Sequence, residues 1–204
     1  MAKTLGIFYG KKDEYNCLIL KGLVTGSKTT MQIADYIYRN TKQPPSHNPI
    51  NEKRKIYSVI ARKGSRLNEL EEKGYIFRGN ALKWNLTTKG LCLAITFFET
   101  SEIIKYVNFN RFGIDIQKVV ESLKDNPLLA VALKTKEGKK KLKEVSDKLQ
   151  SDTLVFEMFL NRIKDLINDI IKKGIDIDSM TDNDIMFYVA GKLSDFMKDI
   201  KFLS

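Results

Sequence analysis

The stretch Ile56–Leu93, IYSVIARKGSRLNELEEKGYIFRGNALKWNLTTKGLCL, decides the fold of this 204-residue chain. It begins with an amphipathic, positively charged segment that ends at Gly74, a residue suited to a helix C-cap. Two short predicted strands, Tyr75–Arg78 and Leu82–Leu86, then flank Gly79-Asn80, which is typical of a hairpin turn. Leu-Thr-Thr-Lys-Gly90 opens another helix. The stretch therefore predicts a cationic helix followed by a β-hairpin.

The net positive charge of the chain is confined to the half that holds this stretch. Residues 1–90 contain 17 Lys and Arg against 7 Asp and Glu, a net charge of +10, whereas residues 91–204 contain 18 of each and are neutral. A generally basic surface would spread the excess over both halves. The asymmetry indicates a basic domain, residues 1–90, that faces a polyanion, and a second domain, residues 91–204, with another task.

Three helices are predicted before the hairpin. The first covers Asp13–Thr25 and the second runs from Thr29-Thr30 to Arg39, while Asn48-Pro49 is an N-cap and first-turn proline that opens the third. The third helix runs to about Lys73, and Gly64 inside it is where a kink or a break would fall. Its apolar stripe consists of Ile56, Val59, Ile60, Leu67 and Leu70.

The second half is predicted to be helical throughout. The expected helices are Leu91–Tyr106, Ile114–Lys124, Pro127–Leu149, Thr153–Lys173 and Asp182–Leu203. The fold class is therefore mainly α with a small β-hairpin, and the apolar helices after residue 90 favour a dimerisation or effector module.

The face of the third helix opposite the apolar stripe has the character of a DNA-reading surface. On a helical wheel Arg54, Ser58 and Ser65 lie there, with Arg62 on its shoulder, so the face is cationic, small and able to hydrogen-bond. A helix with such a face can enter the major groove, and cations of the hairpin can reach phosphates or a minor groove. The predicted DNA-binding residues are Arg54, Tyr57, Ser58, Arg62, Ser65, Arg66, Asn68, Arg78, Asn80 and Lys83.

Two segments carry a resemblance to a known family. Leu67-Asn-Glu-Leu-Glu-Glu-Lys-Gly-Tyr-Ile76 followed by Leu86-Thr-Thr-Lys-Gly90 resembles the recognition-helix-to-wing segment of winged helix-turn-helix transcription regulators. That group includes the multiple-antibiotic-resistance and arsenical-resistance regulators and many archaeal relatives. Thr29-Thr-Met-Gln-Ile-Ala34 lies where these proteins have their second helix. The resemblance covers about residues 14–95 and implies sequence-specific DNA binding, usually as a dimer.

Two features depart from the family pattern. The loop Thr41–Asn48 is longer than the tight turn of the simple motif, and Lys63 stands four residues before Leu67, where an inward-facing aliphatic residue is usual. Either the third helix is broken near Gly64, or its register on DNA differs from that of the family.

The sequence offers little for catalysis or metal binding. Cys17 and Cys92 lie at apolar helix positions, His47 is the single histidine, and no membrane-spanning run or signal peptide is found. The acidic pairs around Asp176 and Asp182 are better explained by helix caps and turns than by a metal site. We therefore expect a soluble cytoplasmic protein that is not an enzyme and holds no metal or cofactor.

The leading hypothesis is a transcription regulator that binds double-stranded DNA as a homodimer, joined through its C-terminal helices, with an effector ligand still to be identified. A protein-interaction or assembly module, and an RNA-binding or replication factor, are the alternatives, since both use the same fold. Trp84 is expected to pack against the helices rather than to stack on a base.

Overall fold

The computed structural model describes residues 6–8, 13–41, 48–62, 64–107, 109–112, 134–189 and 191. Its first two helices are α1, Asp13–Val24, and α2, Thr30–Asn40. The N-terminus of α2 is closed by a capping box, in which Thr29 Oγ1 accepts from the backbone N–H of Gln32 and Gln32 Oε1 accepts from that of Thr29. The two helices predicted for this region are confirmed.

Two helices occupy the region in which the sequence predicts a single third helix. They are α3, Pro49–Ala61, which begins after the N-cap Asn48, and α4, Arg66–Glu72. Between them Gly64 has φ of 72°, which ends helical backbone and is readily adopted by glycine. The single helix to about Lys73 is therefore wrong. Of the two alternatives left open by the family pattern, the break near Gly64 is the one found, while Lys63 and most of the loop before α3 lie outside the described residues.

The predicted hairpin is confirmed, with shorter strands. β1, Ile76–Arg78, pairs antiparallel with β2, Trp84–Leu86, and a turn of 3₁₀-helix, Asn80–Leu82, joins them. The backbone of Lys28 extends this sheet: its N–H donates to Trp84 O at 3.1 Å, and Trp84 N–H donates to Lys28 O at 2.8 Å. The hairpin is thereby attached to the segment that leads into α2.

The helix after the hairpin is divided as well. α5, Thr88–Ile95, is followed by the short helix α6, Thr100–Ile103, so the single helix predicted over Leu91–Tyr106 is wrong. Thr96 Oγ1 donates to Leu93 O at 2.7 Å, a side-chain bond that competes with continued helical pairing at the end of α5. A domain boundary after residue 90 would fall inside α5.

The described part of the second half is built mainly of two longer helices and a helical segment at residues 182–189. α7 covers Lys136–Ser151, and α8 covers Thr153–Lys172 behind an Asp152 N-cap. They match the predicted Pro127–Leu149 over its second half and Thr153–Lys173 almost fully. The predicted Ile114–Lys124 helix and the end of the last helix lie outside the described residues.

One hydrophobic core runs through both halves of the described chain. α8 packs against α5 and α6, and two polar contacts fix it there: Thr100 Oγ1 donates to Asn161 Oδ1 at 2.6 Å, and Lys164 Nζ donates to Phe98 O at 2.9 Å. The inner face of α8 consists of Phe156, Phe159, Leu160, Ile163, Leu166, Ile167 and Ile170. Residues on either side of position 90 thus share a core.

A buried lysine joins the base of the hairpin to the second half. Lys89 is 1% exposed, and its Nζ donates to the backbone oxygens of Lys73, Asp178 and Met180 at 2.7, 3.2 and 2.6 Å. Its charge lies 4.5 Å from the centre of the Tyr75 ring. The Asp178 carboxylate accepts from Lys73 Nζ at 2.9 Å and from Tyr75 Oη at 2.6 Å. We call these five residues the Lys89 cluster.

Removal of the Lys89 ammonium group should lower the stability of the protein strongly. Lys89→Met keeps the apolar stem but leaves three buried backbone carbonyls without that partner, so we expect the free energy of unfolding to fall by about 3 kcal/mol. Denaturant unfolding measures it. Lys83→Met on the exposed hairpin is the matched control and should change stability by less than about 0.5 kcal/mol. Equal stabilities for the two variants would contradict a stabilising role of the Lys89 ammonium group.

Candidate nucleic-acid interface

The outward face of α3 carries the predicted residues Arg54, Tyr57 and Arg62. α3 packs on α2 through Ile56 and Ile60, which are 4% and 0% exposed. Arg54, Tyr57 and Arg62 are all exposed, Arg62 as the C-cap residue of the helix. The structure therefore leaves two guanidinium groups and one phenol in solvent along a 13-residue helix.

The break at Gly64 changes how other residues of the predicted third helix are placed. Val59, expected in the apolar stripe, is 47% exposed, because it lies at the edge of the face that Ile56 and Ile60 bury. Ser58, expected on the outward face, is half-buried, and its Oγ donates to Lys55 O at 2.8 Å. Helical periodicity therefore predicts only some of the buried and exposed positions of α3 correctly.

Residues after the break do not extend the outward face of α3. Ser65, predicted to face DNA, is 7% exposed, and its Oγ donates to Ile60 O at 2.5 Å, which satisfies a carbonyl at the end of α3. The outward placement of Ser65 is therefore wrong. Arg66 is mostly covered and pairs with Glu69 at 3.3 Å, while Asn68 is half-buried.

The hairpin presents Arg78, Asn80 and Lys83 to solvent, as predicted. The guanidinium of Arg78 lies 5.2 Å from the centre of the Trp84 ring, a cation–π distance. Trp84 itself is 4% exposed, and its Nε1 donates to Thr30 Oγ1 at 3.0 Å. The prediction that Trp84 packs against the helices is confirmed, and this contact fixes the hairpin to the start of α2.

Within the described part of residues 1–90, four exposed cations have no carboxylate partner: Arg54, Arg62, Arg78 and Lys83. Several other basic residues of the same half form ion pairs with carboxylates. Lys55, for example, pairs with Glu52 at 2.8 Å. In this half the exposed cations without ion pairs therefore lie on α3, at its C-terminal end, and on the hairpin.

A surface groove of about 490 Å³ adds three cations that the sequence prediction missed. Lys28, Arg39 and Lys53 line it together with Asp35, which forms ion pairs with Arg39 at 2.6 Å and with Lys53. The hydrogen bond from Lys53, helped by the charge of Arg39, holds the pKa of Asp35 below its ordinary value. The sequence prediction was based on one face of one helix, whereas these cations come from the segment before α2, from α2 and from α3. The i, i+4 spacing of Asp35 and Arg39 was the available signal.

The described residues contain no group of His, Cys, Asp and Glu that could hold a metal ion. Asp176 accepts from the backbone N–H of Asp178 at 3.0 Å, and Asp184 accepts from that of Thr181 at 2.7 Å, so these acids act as caps. Burial raises the pKa of the Cys92 thiol, which disfavours the thiolate. Neither group has the geometry of a metal ligand set or an activated nucleophile.

None of the described helices has the length and apolar content of a membrane-spanning segment. Comparison of the chain with protein-family models, curated proteins and solved structures finds no match in any of the three.

Proposed function

We propose that this chain is a sequence-specific transcription regulator that binds double-stranded DNA through a winged helix-turn-helix in its N-terminal half. The observation that carries the proposal is the set of four exposed, unpaired cations on α3 and the hairpin. Cations without carboxylate partners gain most when they replace the counterions of a phosphate backbone. The concentration of all net positive charge in residues 1–90 supports the same conclusion.

In this proposal α3 enters the major groove and the hairpin serves as the wing. Arg54 and Arg62 are exposed where a guanidinium can bond to guanine edges, and the Tyr57 hydroxyl can donate to a phosphate. Arg78 and Lys83 contact phosphates or the adjacent minor groove. Arg66 is mostly covered and paired with Glu69, so the proposal gives it no base-reading role.

Duplex DNA fits this surface better than duplex RNA does. The major groove of B-form DNA is about 12 Å wide and admits a helix, whereas that of A-form RNA is too narrow for side chains to read. A protein-interaction module, the other alternative, has no need of cations left without partners on α3 and the hairpin.

Loss of one guanidinium group that contacts a base should weaken specific binding more than non-specific binding. Arg62→Ala and Arg54→Ala are each expected to cost about 1–3 kcal/mol, roughly 5- to 150-fold, on a selected duplex. The reason is that a bidentate contact to a base is lost. Lys140→Ala on α7 removes an exposed cation from the neutral half and should leave the affinity unchanged. Fluorescence anisotropy measures all three, and equal losses for Arg62→Ala and Lys140→Ala would contradict the reading role.

The hairpin cations should act through phosphates. Arg78→Ala and Lys83→Ala are expected to weaken binding to all duplexes alike and to lower the slope of log affinity against log salt concentration by about 1 each. Titrations at several salt concentrations determine the slope. If the slope is unchanged in a variant that carries both Arg78→Ala and Lys83→Ala, these side chains do not contact phosphates.

The proposed homodimer forms through exposed apolar residues of the second half. Leu154 and Met158, one turn apart on α8, are 66% and 37% exposed, and Phe187 and Tyr188 are exposed on the segment 182–189. Exposed apolar groups of this size are typical of interfaces. Sedimentation equilibrium at micromolar concentration should show a dimer that Leu154→Glu disrupts, with Lys140→Glu as the control. A monomer that binds DNA one to one would refute the dimer.

A further inference from the structure

The tip of the hairpin exposes a large aliphatic side chain. Leu82 is 67% exposed, the most of any large apolar residue in the described part of the chain, and Phe77 on β1 is 46% exposed. A hairpin that only contacted phosphates would gain nothing from two such groups in solvent. They indicate that the tip meets an apolar surface when it is bound.

The backbone holds Leu82 in an unusual conformation. Ala81 and Leu82 have φ of 57° and 56°, in the left-handed region that residues with a Cβ disfavour. The turn is closed by Gly79 N–H donating to Lys83 O at 2.8 Å and by Lys83 N–H donating to Asn80 O at 3.3 Å. A defined, hydrogen-bonded turn therefore fixes where the Leu82 side chain stands.

The strand that follows Leu82 is attached to the helical body. Trp84, two residues after Leu82, is buried and bonds to Thr30, and its backbone pairs with that of Lys28 on the side opposite β1. Asn85 adds a hydrogen bond with Ser27. The tip is supported from the helical body on one side and by its own partner strand on the other.

The surroundings of Leu82 identify the ligand as a polyanion with an apolar interior. Arg78 and Lys83 are exposed on either side of the tip, and residues 73–90 contain no Asp or Glu. Duplex DNA combines two rows of phosphates with stacked bases between them. Its minor groove is about 6 Å wide and accepts single apolar side chains that separate base steps.

We infer that Leu82 is a wedge that enters the minor groove and partly unstacks one base step, so that the protein bends its DNA. Arg78 and Lys83 hold the neighbouring phosphates while the apolar side chain displaces the stack. This inference rests on the proposed function, since it needs a DNA duplex under the hairpin. It predicts a preference for flexible pyrimidine–purine steps at the position of the tip, which are the easiest to unstack.

The test uses the full chain and a duplex selected for binding, with dyes at both ends and 2-aminopurine placed at successive steps. The wild type should bend the duplex by roughly 20–90°, seen as increased energy transfer, and should raise 2-aminopurine fluorescence at one step under the tip. Leu82→Ala should abolish both signals and weaken binding about tenfold. Leu82→Met, which keeps an apolar side chain of similar reach, should retain them.

The outcomes separate the wedge from DNA binding itself. A wild-type complex that forms with full affinity on a straight, fully stacked duplex overturns the wedge and leaves the proposed function standing. A bend that persists unchanged in Leu82→Ala also overturns it. Absence of any binding to duplex DNA at low salt overturns the proposed function, and the wedge with it.

Discussion

The placement of the hairpin depends on one buried ammonium group. Nζ of Lys89 contacts three backbone oxygens, one at the end of α4 and two in the segment 178–180, and it lies against the Tyr75 ring. Removing a charge from water is costly unless hydrogen bonds replace its hydration, and here three acceptors and a nearby carboxylate do so. Burial lowers the pKa of Lys89, while the charge of Asp178 opposes that shift. The chain after α4 and the start of α5 are thus held to a loop about ninety residues away in sequence.

The positions of the exposed cations depend on the contacts that hold α3 and the hairpin. α3 is fixed on α2 by Ile56 and Ile60, and the hairpin is fixed to the start of α2 by Trp84 and to the second half through the Lys89 cluster. Two carboxylates form ion pairs with other cations: Asp178 pairs with Lys73, and Asp35 pairs with Arg39 and Lys53. Arg54, Arg62, Arg78 and Lys83 remain exposed on elements whose positions the core determines.

Local signals predicted much of this fold, and long-range contacts account for most of what they missed. The N-cap threonine before α2, the proline after Asn48 and the hairpin turn are properties of a few adjacent residues, and the corresponding elements are present. A helical wheel assumes unbroken periodicity, so it misplaced Ser65, which follows the break at Gly64 and is buried. Lys89 has the appearance of a surface lysine in the sequence, because its acceptors at 178 and 180 lie in a loop that only the tertiary fold brings near. The prediction was also limited to the outward face of the third helix, so it missed the groove cations Lys28, Arg39 and Lys53.

Specific recognition of duplex DNA is the central claim, and the ratio of two affinities tests it most directly. Sequences that bind the full chain are enriched from a pool of random duplexes, and the dissociation constants of the enriched duplex and of a scrambled duplex are then measured at 150 mM salt. We predict a ratio of about 10³ or more in favour of the enriched duplex, with half-sites spaced by about one helical turn. Equal affinity for both duplexes, or enrichment of no sequence at all, would contradict a sequence-specific regulator.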